Sequence, residues 1–218
     1  MVDRHSPLPV VVLISGNGTN LQAIIDAQQR GELPIEIRAV ISNRADAYGL
    51  ERARRAGITT AVLDHTRFAS RAQFDAALQT SIDASGAHLV VLAGFMRILT
   101  AEFVQHYSGR LLNIHPSLLP KHRGLHTHEA ALAGGDALHG ASVHFVTAEL
   151  DGGPVIAQVR LPVLPHDTEA TLAQRVRAQE HMVYPLIIGW YASGRLRLNG
   201  GHAVLDGQIL DAPQLIHP

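Results

Sequence analysis

Cysteine is absent from the 218-residue chain. That excludes disulfides and thiol nucleophiles, and it leaves any zinc site to histidine and carboxylate ligands alone. Net charge is almost absent too: 18 Lys and Arg stand against 19 Asp and Glu, for a formal charge of -1. So small a charge offers no general attraction to nucleic acid or an anionic membrane, although one local anion site stays open. Long apolar runs are also missing. The longest, such as Leu89-Val90-Val91-Leu92-Ala93, fall far short of the roughly 20 residues that cross a bilayer. The opening MVDRHSPLP lacks the apolar stretch of a signal peptide. These absences lead us to expect a cytoplasmic protein with one sizeable core and no nucleic-acid or membrane partner.

What is present alternates between strand and helix patterns. Pro9 to Ile14 is a continuous apolar run with a β-branched bias, ending at Ser15-Gly16-Asn17-Gly18. Thr19 or Asn20 then opens a helix with Leu21, Ile24 and Ile25 at helical spacing, which makes the first half of a parallel βαβ unit. Further strands are predicted over Ile35–Ile41, Thr60–Leu63, Leu89–Ala93 and Arg110–Ile114, with helices over Ala45–Ala56, Arg67–Ala84 and Ala101–Tyr107. Leu125–Leu132 reads as a helix, Ala141–Thr147 and Val155–Val159 as a strand pair, and Thr168–Tyr191 as a long amphipathic helix. Short strand candidates follow at Leu196–Leu198 and Ala203–Leu205. The predicted fold is α/β: a Rossmann-like, doubly wound, mostly parallel sheet with helices on both faces and a mixed-sheet C-terminal extension.

The turn Ser15-Gly16-Asn17-Gly18-Thr19-Asn20 lies where such a sheet places its ligand, at the carboxyl end of the first strand. Free N–H groups at the following helix start, with the Thr19 hydroxyl and Asn20 amide, suit a phosphate. A dinucleotide fits poorly. Leu21 occupies the third glycine position of GxGxxG, and Ile41-Ser42-Asn43 offers no acid for a ribose hydroxyl. Taken alone, the turn also has a plainer reading as a tight connection with an ordinary helix start.

Asn113 and His115 are two apart in a predicted strand, so they project to one side, and Pro116 freezes the chain directly after them. Asp151 falls in the turn Glu149-Leu150-Asp151-Gly152-Gly153-Pro154. Were the three to converge, the carboxylate would favour the protonated imidazole, as a general acid near neutral pH requires. The Asn113 amide could then hold an oxygen gaining negative charge. Each residue also has a purely structural reading, as a turn former or a satisfied buried group. His126 and His128 do not complete a metal motif, because His128-Glu129-Ala130-Ala131-Leu132 fails HExxH at its last position. The apolar segment from Gly94 to Leu99 could line a slot for a flat heterocycle or simply pack in the core.

Taken together, six segments give the chain its family likeness: SGNGTNLQAIID (15–26), SNRADAYGLERARRAGI (42–58), VVLAGFMRIL (90–99), GRLLNIHPSLLPKHRGLHTH (109–128), GASVHFVTAELDGGPVI (140–156) and QEHMVYPL (179–186). In this order, over about Val10 to Tyr191, the chain resembles the phosphoribosylglycinamide formyltransferase family. The resemblance implies transfer of a formyl group from 10-formyltetrahydrofolate to the amine of 5'-phosphoribosylglycinamide, in purine synthesis. The amine would attack directly, with no metal and no covalent enzyme intermediate. It implies a catalytic trio of Asn113, His115 and Asp151, and a phosphate site at Gly18, Thr19 and Asn20. It implies that Glu180 contacts the glycinamide part, that Met96, Arg97, Ile98 and Leu99 lie against the pterin, and that Arg71 stands near the benzoylglutamate. The expected organisation is a lead over 1–9, one domain over 10–194 and an extension over 195–218. Within the domain a phosphate-binding half covers about 10–107 and a folate and catalytic half about 108–194. A monomer or weak homodimer is expected.

Two departures from close relatives stand out. His122-Arg123 replaces a Tyr-Pro pair and Arg177 replaces a glutamine, and both changes are expected to add basic character near the phosphate or folate tail. The rival readings are a formyltetrahydrofolate hydrolase, a methionyl-tRNA formyltransferase or a non-catalytic binding protein of the same fold. The hydrolase typically has a regulatory domain ahead of the catalytic one, and the tRNA enzyme a further domain behind it. The glycine turn close to the amino terminus favours the glycinamide substrate.

Overall fold

The structure is a computed structural model that describes residues 6–217; the first five residues of the expected lead lie outside it. Eight strands form the main sheet: β1 (Leu8–Ile14), β2 (Ile35–Ser42), β3 (Thr60–Val62), β4 (Leu89–Leu92), β5 (Leu111–His115), β6 (Leu138–Phe145), β7 (Val155–Pro162) and β11 (Gln214–Ile216). Their order across the sheet is β11-β7-β6-β5-β4-β1-β2-β3. Neighbours from β5 through β3 are parallel, β6 runs antiparallel to both β5 and β7, and β11 is parallel to β7. A separate antiparallel sheet holds β8 (Leu196–Asn199), β9 (His202–Leu205) and β10 (Gln208–Ile209).

Helices cover both faces, which explains why the central strands are apolar throughout. Along β1, Val10, Val12 and Ile14 face a core shared with α1 (Thr19–Gln29), α2 (Tyr48–Arg55) and α6 (Glu169–Ala192). Val11 and Leu13 face the opposite core, filled by Phe74, Leu78 and Ile82 of α3 (Arg71–Ala84) and by Phe103 and Val104 of α4 (Ala101–His106). A short helix, α5 (Thr127–Ala133), follows the loop after β5. This is the doubly wound, mostly parallel arrangement expected.

Several boundaries differ from the sequence reading. The helix expected from Arg67 is interrupted: a single 3-10 turn covers His65–Arg67, and α3 starts only after Ser70, whose hydroxyl accepts from the Gln73 N–H at 3.2 Å. The second helix starts at Tyr48 rather than Ala45, and α5 at Thr127 rather than Leu125. The strands β10 and β11 were not anticipated.

The sheet reverses its winding between β1 and β4, the place where such folds open a crevice. The glycine turn lies there and packs on α2. Gly18 adopts φ 73° at the start of α1, and the Gly49 N–H donates to the Gly16 carbonyl at 3.0 Å. A Cβ on Gly18 would stand 2.7 Å from the Gly49 Cα. Gly18→Ala therefore combines a left-handed backbone with a clash against main chain, and we predict a loss of about 2 kcal/mol in urea unfolding. An unchanged midpoint would contradict this account of the turn.

Candidate functional site

Because β1, β4 and β5 are parallel neighbours, their carboxyl ends lie on one edge of the sheet. The glycine turn leaves β1 there, residues 93–100 leave β4, and β5 ends at His115. Helix α6 crosses this edge. Its Tyr184 hydroxyl is 2.9 and 3.0 Å from the Leu92 and Leu112 carbonyl oxygens. One turn earlier, buried Glu180 accepts from Asn20 Nδ2 at 2.8 Å, joining α6 to the start of α1. No side chain caps that helix start, so its first N–H groups face the crevice unpaired by a capping oxygen.

The structure brings Asn113, His115 and Asp151 together. His115 Nδ1 lies 3.5 Å from Asp151 Oδ2, with the two side chains only 7% and 9% exposed. His115 Nε2 is 2.8 Å from the His122 carbonyl, so both ring nitrogens face acceptors. Asp151 adopts φ 48°, and its Oδ2 also accepts from the Gly124 N–H at 2.9 Å. Asn113 reaches the carboxylate indirectly. Its Nδ2 is 3.1 Å from His144 Nε2, which in turn is 3.7 Å from Asp151 Oδ1.

His144 is the residue that sequence reasoning missed. It faces Asn113 across the antiparallel pair of β5 and β6. Its Nδ1 is 2.9 Å from the Phe145 carbonyl, which makes Nδ1 the protonated nitrogen and Nε2 the acceptor for the Asn113 amide. Burial lowers the His144 pKa, in keeping with a neutral ring. Alternation in Ala141–Thr147 set Ser142 and His144 on one face, but only the register with β5 shows what they meet. Ser142 shares this buried layer. Its hydroxyl donates to the Ser117 carbonyl at 2.7 Å and accepts from the Leu119 N–H at 3.1 Å and from Gln158 Nε2 at 3.1 Å. The loop after β5 is thereby tied down onto the site.

The segment assigned to the pterin sits at the mouth of the crevice. Met96 and Ile98 are 61% and 51% exposed, so their apolar side chains are open to a partner. Arg97 stacks over Phe74 at 6.0 Å, and the charges of Arg71 and Arg97 both act on Asp75. Leu99 packs at the edge of the core beneath. Glu180 is raised in pKa by burial, partly opposed by the Asn20 hydrogen bond and the Arg177 charge.

His122 and Arg123, both expected to add basic character, have carboxylate partners, and Asp136 is shared with Lys121 at 2.8 Å. His122 Nε2 is 2.7 Å from Asp136 Oδ2, and Arg123 is paired with Glu149. His126 is exposed beside Glu129, whereas His128 turns inward to His139 at 3.0 Å. Among the described residues no group of three or more His, Cys, Asp or Glu is arranged to hold a metal ion. No described helix is long and apolar enough to cross a membrane.

A mostly parallel sheet with a glycine turn and an Asn-His-Asp set at its carboxyl edge defines a class. Residues 8–188 match the family described as formyl transferase, and the chain belongs to that family. Within it, the chain is 59% identical to phosphoribosylglycinamide formyltransferase of Escherichia coli K12 over 201 residues, covering 92% of this chain and 95% of that one. The solved phosphoribosylglycinamide formyltransferase of Coxiella burnetii superposes with a TM-score of 0.94 at 57% identity, covering 97% of this chain and all of its own. A formyltetrahydrofolate deformylase from Burkholderia mallei shares the fold at 30% identity and a TM-score of 0.85, with 93% of this chain and 71% of that one covered.

The histidines beneath the site carry a pH signature. Burial lowers His139 to about 4 and also depresses His128 and His144. A depressed folded value means that the contribution of His139 is fully present above about pH 6.5 and is lost as pH falls toward 4. We predict that His139→Asn loses less stability over that window than the parent chain, by on the order of 1–2 kcal/mol. Indistinguishable acid-unfolding profiles would remove His139 from the explanation.

Proposed function

We propose that this protein transfers the formyl group of 10-formyltetrahydrofolate to the glycinamide amine of 5'-phosphoribosylglycinamide, a step of purine synthesis. The observation that carries the reading is the pairing of His115 with buried Asp151 at 3.5 Å, on the edge where Asn20 and Glu180 join the phosphate turn to α6. The strong likeness to phosphoribosylglycinamide formyltransferases over nearly the whole chain supports the same substrate pair.

In this reading Gly18, Thr19 and Asn20 hold the substrate phosphate through the uncapped start of α1, where N–H groups and the helix dipole favour an anion. Glu180 accepts from the glycinamide part and from Asn20 together. Met96, Arg97, Ile98 and Leu99 lie along the pterin, and Arg71 faces the benzoylglutamate end. Holding the two substrates in register supplies much of the rate advantage, so no enzyme nucleophile is needed.

The amine nitrogen bonds to the formyl carbon while the bond from that carbon to the folate nitrogen breaks. One N–H of Asn113 is engaged by His144, and the second is free to hold the formyl oxygen as negative charge develops. His115 delivers a proton to the departing folate nitrogen, and the attacking amine gives one up, so the overall proton count is unchanged. Asp151 lies against Nδ1 of His115 and fixes the direction of the ring, which leaves Nε2 as the nitrogen that passes the proton. Since His115 Nε2 contacts the His122 carbonyl, the loop at 116–124 must yield that contact when the proton is passed.

His115→Ala and Asp151→Asn are expected to lower kcat by about 10²–10⁴-fold while leaving substrate KM within a few-fold. Formylation of phosphoribosylglycinamide, followed by release of tetrahydrofolate, checks this. Near-normal turnover in either variant would falsify the assigned roles. Absence of any transfer by the parent chain, with hydrolysis of formyltetrahydrofolate instead, would favour the deformylase reading.

A further inference from the structure

Between β4 and α4, residues 93–100 cross the mouth of the crevice without regular structure. Such a segment holds its shape only where its backbone polar groups find partners. The Met96 N–H donates to Ser15 Oγ at 2.7 Å, and the Ser15 hydroxyl donates onward to Asn43 Oδ1 at 2.5 Å. The Ser15 N–H in turn donates to the Gly94 carbonyl at 3.0 Å. Ser15 and Asn43 are 6% and 3% exposed, so these bonds are sheltered from competition with water. At the other end of the segment the Thr100 N–H donates to buried Asp75 at 2.6 Å.

Ser15 is also the residue from which the glycine turn springs. Directly after it, the Gly16 carbonyl accepts from the Gly49 N–H at 3.0 Å. One residue therefore touches both binding regions: its hydroxyl holds the segment carrying Met96 to Leu99, and its main chain roots the phosphate turn. Asn43 completes the relay from an informative position. It stands at the end of the second strand, where dinucleotide-binding sheets carry an acid for a ribose hydroxyl. Here its side chain points inward, with Nδ2 3.1 Å from His65 Nδ1, and it serves Ser15 instead of a ligand. Removing the Ser15 hydroxyl would leave the Met96 N–H and Asn43 Oδ1 without their partner.

We propose that Ser15 is a positioning residue that couples the two substrate sites, so that filling the phosphate turn sets the folate-facing segment. The inference rests on the reading of the crevice given above. A phosphate bound on the turn restrains Ser15, and the relay passes that restraint to the Met96 N–H. The folate then meets a segment that is already ordered, and the two ligands favour one another.

The test uses a pair of ligands that cannot react, phosphoribosylglycinamide and unformylated tetrahydrofolate, with calorimetry on the full chain. In the parent protein, saturating phosphoribosylglycinamide should tighten tetrahydrofolate binding about fivefold or more. In Ser15→Ala that ratio should fall to near one, while phosphoribosylglycinamide alone binds within about twofold of the parent value. Ser15→Thr keeps the hydroxyl and should restore most of the ratio, which general loosening of the fold would not do. Should Ser15→Ala fail to fold, Asn43→Ala breaks the same relay one bond further on and should also lower the ratio. A parent chain that binds neither ligand overturns the reading of the site together with this inference. Independent binding of the two ligands to the parent chain, or an undiminished ratio in the folded variants, overturns the coupling alone.

Discussion

A carboxylate taken out of water must be met by donors or opposite charge, and much of this site is arranged around that demand at Asp151. Its Oδ2 faces the Gly124 N–H and His115 Nδ1, which come from a loop and from the end of β5. To point into that space the backbone takes φ 48°, a conformation that few residues other than glycine and the Asp/Asn pair adopt readily. The loop after β5 is drawn down by the Gly124 contact and by the buried Ser142 and Gln158 side chains. Asn113 never touches the carboxylate, and its amide is oriented instead by the neutral His144 ring across the β5–β6 pair.

The glycine-turn side of the crevice is built on different terms. With a net charge of -1 the chain has no strong field to offer. The turn relies on an uncapped helix start and on packing between Gly18 and Gly49 that only two glycines allow. Arg52 contributes structure more than attraction. Its guanidinium donates at 2.8 Å to both the carbonyl and the side-chain oxygen of Asn17, so it stiffens the turn from the outside. Selectivity in such a cradle comes from backbone geometry rather than from accumulated charge.

Much of this was legible in the sequence, and the exceptions share a cause. The apolar runs of β1 and β4 read correctly because both faces of those strands are covered. Asn113 and His115 stood out because a spacing of two on a strand is a local property. His144 did not, since its partner is set by a register 31 positions away in the chain. Ser15 and Asn43 looked like turn and strand-end polar residues, and only the parallel alignment of β1 with β2 and β4 brings them to each other and to Met96. The partners of His122 and Arg123 were hidden for the same reason: Asp136 and Glu149 arrive from 14 and 26 residues downstream. Gln214–Ile216 has too little pattern to announce itself, and it becomes a strand because β7 offers it unpaired backbone.

That last pairing has a consequence for how the molecule meets its neighbours. β7 is eight residues long and would otherwise end the sheet with a row of open hydrogen-bonding groups, the kind of border along which protein molecules stick to each other. Gln214, Leu215 and Ile216 occupy part of that border beside Ala157, Gln158 and Val159. At the opposite margin β3 is only three residues long. On the β7 side the guard over those three positions is supplied by the chain's own residues 214–216.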